Sequence, residues 1–164
     1  MGDIRTRLLQ RMAIFGGIRD EVLAFLLERA SPVKILEGEF FFREGARGTS
    51  AFVLEEGSVS ILKYWDGRDH FMRHLETGDC FGEVALLDFG RRSASVRADV
   101  DCLAIELTAG NLLEVSKQNL EQFAMIYMNL GRELSRRLRA ADERLLKARA
   151  AGSALAADYV FSTN

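Results

Sequence analysis

Between residues 32 and 107 the chain is interrupted by glycine at roughly ten-residue intervals, and that spacing constrains the fold more than any other feature. Breaks fall at Glu37-Gly38, Glu44-Gly45, Glu56-Gly57, Asp66-Gly67 and Thr77-Gly78-Asp79. Between them lie runs rich in β-branched and aromatic residues: Val33–Leu36, Phe40–Arg43, Ser50–Leu54, Val59–Trp65, His70–Leu75, Ser93–Ala98 and Cys102–Leu107. Each run is too short for a helix and the right length for a strand. Asp66-Gly67 joins two such runs by two residues, a strong hairpin signal. Many short strands in sequence predict an all-β sandwich or barrel for this zone.

The flanks read as helical. Leu8, Leu9 and Met12 share one helical face, as do Leu23, Leu26 and Leu27, with Gly16-Gly17 between the two helices. At the other end Thr108 is a candidate N-cap for a short helix over Asn111–Lys117. A long helix then spans Leu120–Ala150. Its apolar positions Phe123, Tyr127, Leu130, Leu134, Leu138, Ala141, Leu145 and Ala148 step mostly by alternating fours and threes. That heptad-like seam predicts pairing with a second copy. The expected organisation is residues 1–31 helical, 32–107 β, 108–151 helical and 152–164 a tail, in which Tyr159-Val160-Phe161 is a candidate docking segment.

Composition narrows the function. A net charge of −2 gives no general attraction to nucleic acid or an anionic membrane. The basic stretch Arg132–Arg139 alternates with leucines and contains Glu133, so it reads as a solvated, ion-paired face. No apolar run is long enough to span a bilayer, and no signal peptide is visible. Cys80 and Cys102 are the two cysteines, consistent with reduced thiols and a cytoplasmic protein. His70 and His74 are the two histidines. Four apart on a regular strand, they would share a face about 13 Å apart, too far to share a metal.

One segment carries chemistry. Phe81-Gly82-Glu83-Val84-Ala85-Leu86-Leu87 is followed by Arg91-Arg92-Ser93-Ala94-Ser95-Val96. A guanidinium takes a phosphate as a planar fork. Backbone N–H groups of a helix starting near Val84 face the same kind of anion. The Glu83 carboxylate accepts hydrogen bonds only and therefore suits a sugar hydroxyl. Gly82 allows close backbone approach. Together these residues fit a sugar ring fused to a phosphodiester.

The pattern Phe-Gly-Glu-x-Ala-Leu-Leu, a short gap, then Arg-Ser-Ala-x-Val resembles the phosphate-binding cassette of cyclic nucleotide-binding domains. That family includes bacterial cAMP receptor proteins, the regulatory subunit of cAMP-dependent protein kinase and cyclic nucleotide-gated channels. The likeness extends roughly from Ile14 to Leu146. It implies an α+β fold: a double-sheet jelly roll of about eight strands, with N-terminal cap helices and a long C-terminal helix. It implies Arg92 at the phosphate, Glu83 and Gly82 at the ribose, and backbone groups of Val84, Ala85 and Leu86 at the phosphate. Ser93, through its hydroxyl, and Ala94 complete the cassette. Arg91 is expected to face solvent.

The resemblance places Ala141 and Asp142 where the bacterial receptors carry hydroxyl residues that meet adenine. Asp142 is the candidate base contact here, and Arg139 a second candidate for the base face. Val59, Ile61, Phe71, Leu75 and Val96 are candidates for lining the base pocket, depending on register. The expected ligand is cAMP, with cGMP the second candidate, and no cofactor, metal, nucleic acid or membrane. No base and positioned water are visible for hydrolysis, so a non-enzyme is expected. The chain stops about 14 residues after the long helix, which predicts a stand-alone sensor, or the sensor portion of something larger, that acts through that helix on a homodimer partner or an unidentified effector protein. Two alternatives stay open: a docking module that binds no nucleotide, and a jelly-roll metalloenzyme.

Overall fold

The computed structural model describes residues 4–151. The Tyr159–Phe161 segment and the rest of the tail lie outside the described residues. The chain divides into two compact units, one ending at Asn129 and one beginning at Leu130.

The first unit is built on two antiparallel four-stranded sheets. The strands are β1 (Ser31–Ile35), β2 (Phe40–Phe42), β3 (Ser50–Glu56), β4 (Ser58–Trp65), β5 (Arg68–Glu76), β6 (Cys80–Phe81), β7 (Ser95–Ala98) and β8 (Cys102–Thr108). One sheet has the order β1-β8-β3-β6 and the other β2-β7-β4-β5. Consecutive strands therefore alternate between sheets, except at the β4–β5 hairpin, and this is the jelly-roll arrangement. The inner faces close on a core that includes Phe52, Leu54, Val59, Ile61, Phe81, Val96, Ala98 and Ala104. The hairpin turn lies at Asp66-Gly67, where both residues have positive φ (50° and 80°) as a type I′ turn requires.

Three expectations change. The strand expected from Ser93 starts at Ser95. The residues before it are diverted: Arg92 N–H donates to Ala46 O and Arg92 O accepts from Gly45 N–H, both at 2.8 Å. His70 and His74 do not share a face. A register shift in β5 leaves Met72 without a partner, so His70 pairs with Lys63 and His74 with Ser60, three residues apart on β4. An odd step on a strand reverses the face. The same shift puts Phe71 opposite Leu62 with its ring 4.7 Å from that of His74, and leaves it exposed. It therefore does not line the interior, whereas Val59, Ile61 and Val96 are buried there.

Helices α1 (Ile4–Gln10) and α2 (Asp20–Arg29) precede the sheets, with a 3-10 turn at Ala13–Phe15 between them. Leu9, Leu23 and Leu26 are fully buried. After β7 and β8 come α4 (Ala109–Gln118) and α5 (Leu120–Ala150); the short α3 (Ala85–Asp88) lies in the β6–β7 connection. Thr108 caps α4 in a reciprocal box with Asn111. The first turns of α5 are tied to the N-terminal turn by two buried amides: Gln122 Oε1 accepts from Arg19 N–H (2.8 Å), and Asn129 Nδ2 donates to Ile14 O and Gly16 O (3.2 and 2.9 Å). The second unit is the rest of α5. There Glu133 pairs with Arg136 and Arg137, while Leu138 and Leu146 are exposed.

The turn glycines can be tested against one another. Gly38 and Gly57 both have positive φ, which costs a non-glycine residue about 1–3 kcal/mol. A Cβ at Gly38 meets nothing within 4 Å, whereas one at Gly57 would stand 2.7 Å from Cys102 Sγ and 2.8 Å from Asp101 O. Gly57→Ala is expected to lower the melting temperature clearly more than Gly38→Ala. Equal shifts in thermal denaturation would refute the clash.

Candidate functional site

The site forms where the β6–β7 connection crosses the start of β3. Gly82 leaves β6 with φ 76°, which turns the chain into α3. Its carbonyl accepts from Ala85 N–H (3.2 Å), and Leu86 N–H and Leu87 N–H bond back to Glu83 O (3.0 Å) and Val84 O (2.9 Å). Val84 stands in αR conformation at the helix start. Ala85 and Leu86 are buried, anchoring this short turn on the core. The backbone of Arg92 is locked to the Gly45–Ala46 loop by its paired hydrogen bonds.

The Arg92 side chain turns inward and is only 7% exposed. Its Nη1 donates to Ser50 O (2.6 Å) and to Gly82 O (3.1 Å), and Nη2 donates to Ser50 Oγ (3.1 Å). The Phe42 ring lies 4.0 Å from its Cζ and the Phe52 ring 5.8 Å. Phe52 and Phe81 stack at 5.5 Å, and Phe41 meets both edge-on at 5.4 and 5.0 Å. Burial pushes the guanidinium pKa down, and the negative charges of Glu106 and Glu83 oppose that shift. Nε is buried and has no hydrogen-bond partner among the described residues. A buried donor of a charged group wants an acceptor.

Two glycines make room for this guanidinium. A Cβ at Gly48 would stand 2.2 Å from Arg92 Nε and 2.4 Å from Cζ. One at Gly82 would stand 2.6 Å from Nη1 and 3.2 Å from Ser50 O. Glu83 is 3% exposed and acts electrostatically on Arg92. Gly82, Glu83, Val84, Ala85, Leu86 and Arg92 are thus brought together within one short connection. Ser93 is exposed, and its carbonyl accepts from Lys63 Nζ (2.6 Å). Ala94 is half-buried and packs against the core. Arg91 is exposed, with Nη1 on Gly45 O (2.7 Å). Ala141 and Asp142 are exposed and belong to the second unit.

Sequence reasoning missed Ser50, Gly48, Lys63 and Glu44. Ser50 and Gly48 stand far from the cassette in sequence and carry no motif. The Phe40-Phe41-Phe42 run was a signal that could have placed an aromatic wall there. A groove of about 500 Å³ between α2 and α4, lined by Val22, Phe25, Val115 and the acidic Glu21 and Glu28, is wrong in charge for a phosphate. The chemistry, not cavity size, therefore locates the site. No group of three or more His, Cys, Asp or Glu side chains among the described residues is arranged to hold a metal ion.

The sequence profile of the cyclic nucleotide-binding domain matches residues 32–119, spanning every strand and the cassette. The chain belongs to the cyclic nucleotide-binding domain family. It is 31% identical over 120 residues to the mouse potassium/sodium hyperpolarization-activated cyclic nucleotide-gated channel 2, covering 73% of this chain and 13% of that channel. The Thermus thermophilus catabolite activator protein superposes with a TM-score of 0.73 at 28% identity, covering 82% of this chain and 62% of that one. The regulatory domain of Toxoplasma gondii PKA, solved with cAMP, superposes with a TM-score of 0.65 at 25% identity, covering 68% and 42%. The cyclic nucleotide-binding domain is a regulatory, sensor-type fold.

Beside the cassette, Lys63 Nζ and Tyr64 N–H both donate to the Glu44 carboxylate. The Lys63 bond first, then the Tyr64 N–H, hold the Glu44 pKa below its ordinary 4.5. A depressed folded-state pKa stabilises the fold above the unfolded value and loses that contribution as pH falls through the folded value. The melting-temperature gap between the wild type and Glu44→Gln is therefore expected to be full at neutral pH and to shrink below 4.5. A gap independent of pH in differential scanning fluorimetry would refute this.

Proposed function

We propose that this protein is a non-enzymatic sensor of a cyclic mononucleotide, cAMP first and cGMP second. The observation that carries the reading is Arg92, a buried guanidinium with an unpartnered Nε, set beside Gly82 and Glu83 in one connection. In this reading Arg92 binds the cyclic phosphate as a charged fork. Glu83 accepts from the ribose 2′-hydroxyl, and the backbone of Gly82, Val84, Ala85 and Leu86 lines the phosphate and sugar. Ser93 and Ala94 border the phosphate. The cAMP in the solved Toxoplasma regulatory domain supports the choice of nucleotide. No helix among the described residues is long and apolar enough to cross a membrane.

The signal leaves through α5. Tyr127 on α5 donates its hydroxyl to Leu86 O in the cassette (3.2 Å), so a cassette displaced by ligand loads that helix directly. Asp142, the base contact that the sequence resemblance implies, lies on the same helix. The seam through Leu134, Leu138 and Leu145 pairs with a second copy or an effector protein; Leu138 is 64% exposed. A ligand shifts such a device only by its differential affinity for the two states.

Titration calorimetry with cAMP and cGMP tests the function, and binding of neither overturns it. Arg92→Ala is expected to weaken binding by about 2–5 kcal/mol, the cost of removing one partner of a buried charge pair. Glu83→Ala is expected to cost less and to abolish the preference for ribose over 2′-deoxyribose. Unchanged affinity in Arg92→Ala would move the site away from the cassette. For the switch, Tyr127→Phe should keep cAMP affinity while reducing the ligand-induced change in hydrogen exchange along α5. An identical exchange response in that variant would exclude Tyr127 as the link.

A further inference from the structure

We infer that Ser50 is the positioning residue that presents Arg92 to an anion. This deepens the nucleotide reading and rests on it. Ser50 is the first residue of β3, 5% exposed, and it supplies two acceptors to one guanidinium: its backbone carbonyl to Nη1 and its hydroxyl to Nη2. Both ends of that interaction are buried. Serine at this place does what a bidentate carboxylate would do, without its charge.

The geometry follows from the donors. A guanidinium has five N–H groups in a fixed plane. Nη1 uses its pair on Ser50 O and Gly82 O, and Nη2 uses one on Ser50 Oγ. That leaves Nε–H and the second Nη2–H, two donors on the edge that takes a phosphate side-on. Phe42 and the bare Cα of Gly48 restrict the plane from tilting. A neutral anchor adds no further negative charge beside an arginine that already feels Glu106 and Glu83, so more of its positive charge stays available for a phosphodiester monoanion than an acidic anchor would leave. Ser50 is itself rigid. It pairs with Thr108, the N-cap of α4, and its neighbour Thr49 accepts from Ala109 N–H (2.8 Å).

Two readouts test this. In ligand-free protein, the ¹⁵N-resolved Arg92 Nε–H resonance should be sharp and slowly exchanging in the wild type, broadened in Ser50→Ala and restored in Ser50→Thr. For cAMP, the affinity of Ser50→Ala should fall roughly 2- to 10-fold, the effect of releasing one held side chain, with recovery in Ser50→Thr. If Ser50→Ala does not fold by circular dichroism, Ser50→Cys, whose thiol is a poor acceptor, takes its place. An unchanged Nε–H signal overturns the assignment. So does unchanged cAMP affinity in a variant of a protein that binds cAMP. If the wild type binds neither cAMP nor cGMP, the function reading falls, while a broadened Nε–H signal in Ser50→Ala still supports Ser50 as the residue that orders Arg92.

Discussion

The structure depends on keeping one positive charge inside an aromatic-lined corner of the barrel. Moving a guanidinium out of water is expensive unless its donors are met. Here three bonds from Ser50 and Gly82 meet most of that demand, and the Phe42 ring covers the delocalised cation. The glycines at 48 and 82 follow from this requirement, because a single methyl at either place would collide with the guanidinium. Two N–H groups, one on Nε and one on Nη2, are left over, and the proposed recognition of a phosphate rests on that surplus.

The jelly roll supplies the convergence. Consecutive strands alternate between sheets, so segments distant in the chain meet at one end of the barrel. The Gly45–Gly48 loop, the start of β3 and the β6–β7 connection come together only because β2 and β7 pair in one sheet while β3 and β6 pair in the other. The backbone bonds between Arg92 and residues 45 and 46 are the local closure of that arrangement. They also explain why β7 starts two residues later than its β propensity suggests.

The helices at both ends are joined to the barrel by polar ties as well as apolar packing. Asn111 closes the cap of α4 and also donates to Arg29 O at the end of α2. Gln122 and Asn129 hold the Ile14–Arg19 segment to α5. Such bonds are directional, so α5 up to Asn129 has a defined register against the N-terminal turn. Tyr127, whose hydroxyl pKa is raised by burial, adds a bond to the cassette from the same helix.

Much of this protein was legible from the chain. Glycine spacing and β-branched runs located seven of the eight strands and missed the two-residue β6, while Asp66-Gly67 marked the hairpin, Thr108 the cap of α4, and the apolar period the long helix. The cassette residues Gly82, Glu83 and Arg92 were readable because their chemistry lies within a dozen positions of sequence. What only the tertiary structure decided involves residues far apart in sequence or a one-residue change in register. The unpartnered Met72 reversed the face of His74 relative to His70 and turned Phe71 outward, an effect that no local propensity encodes. Ser50, forty-two residues before Arg92, became its anchor through strand pairing. Periodicity determines which face of an element is apolar; only closure of the barrel determines which distant side chains share a buried charge.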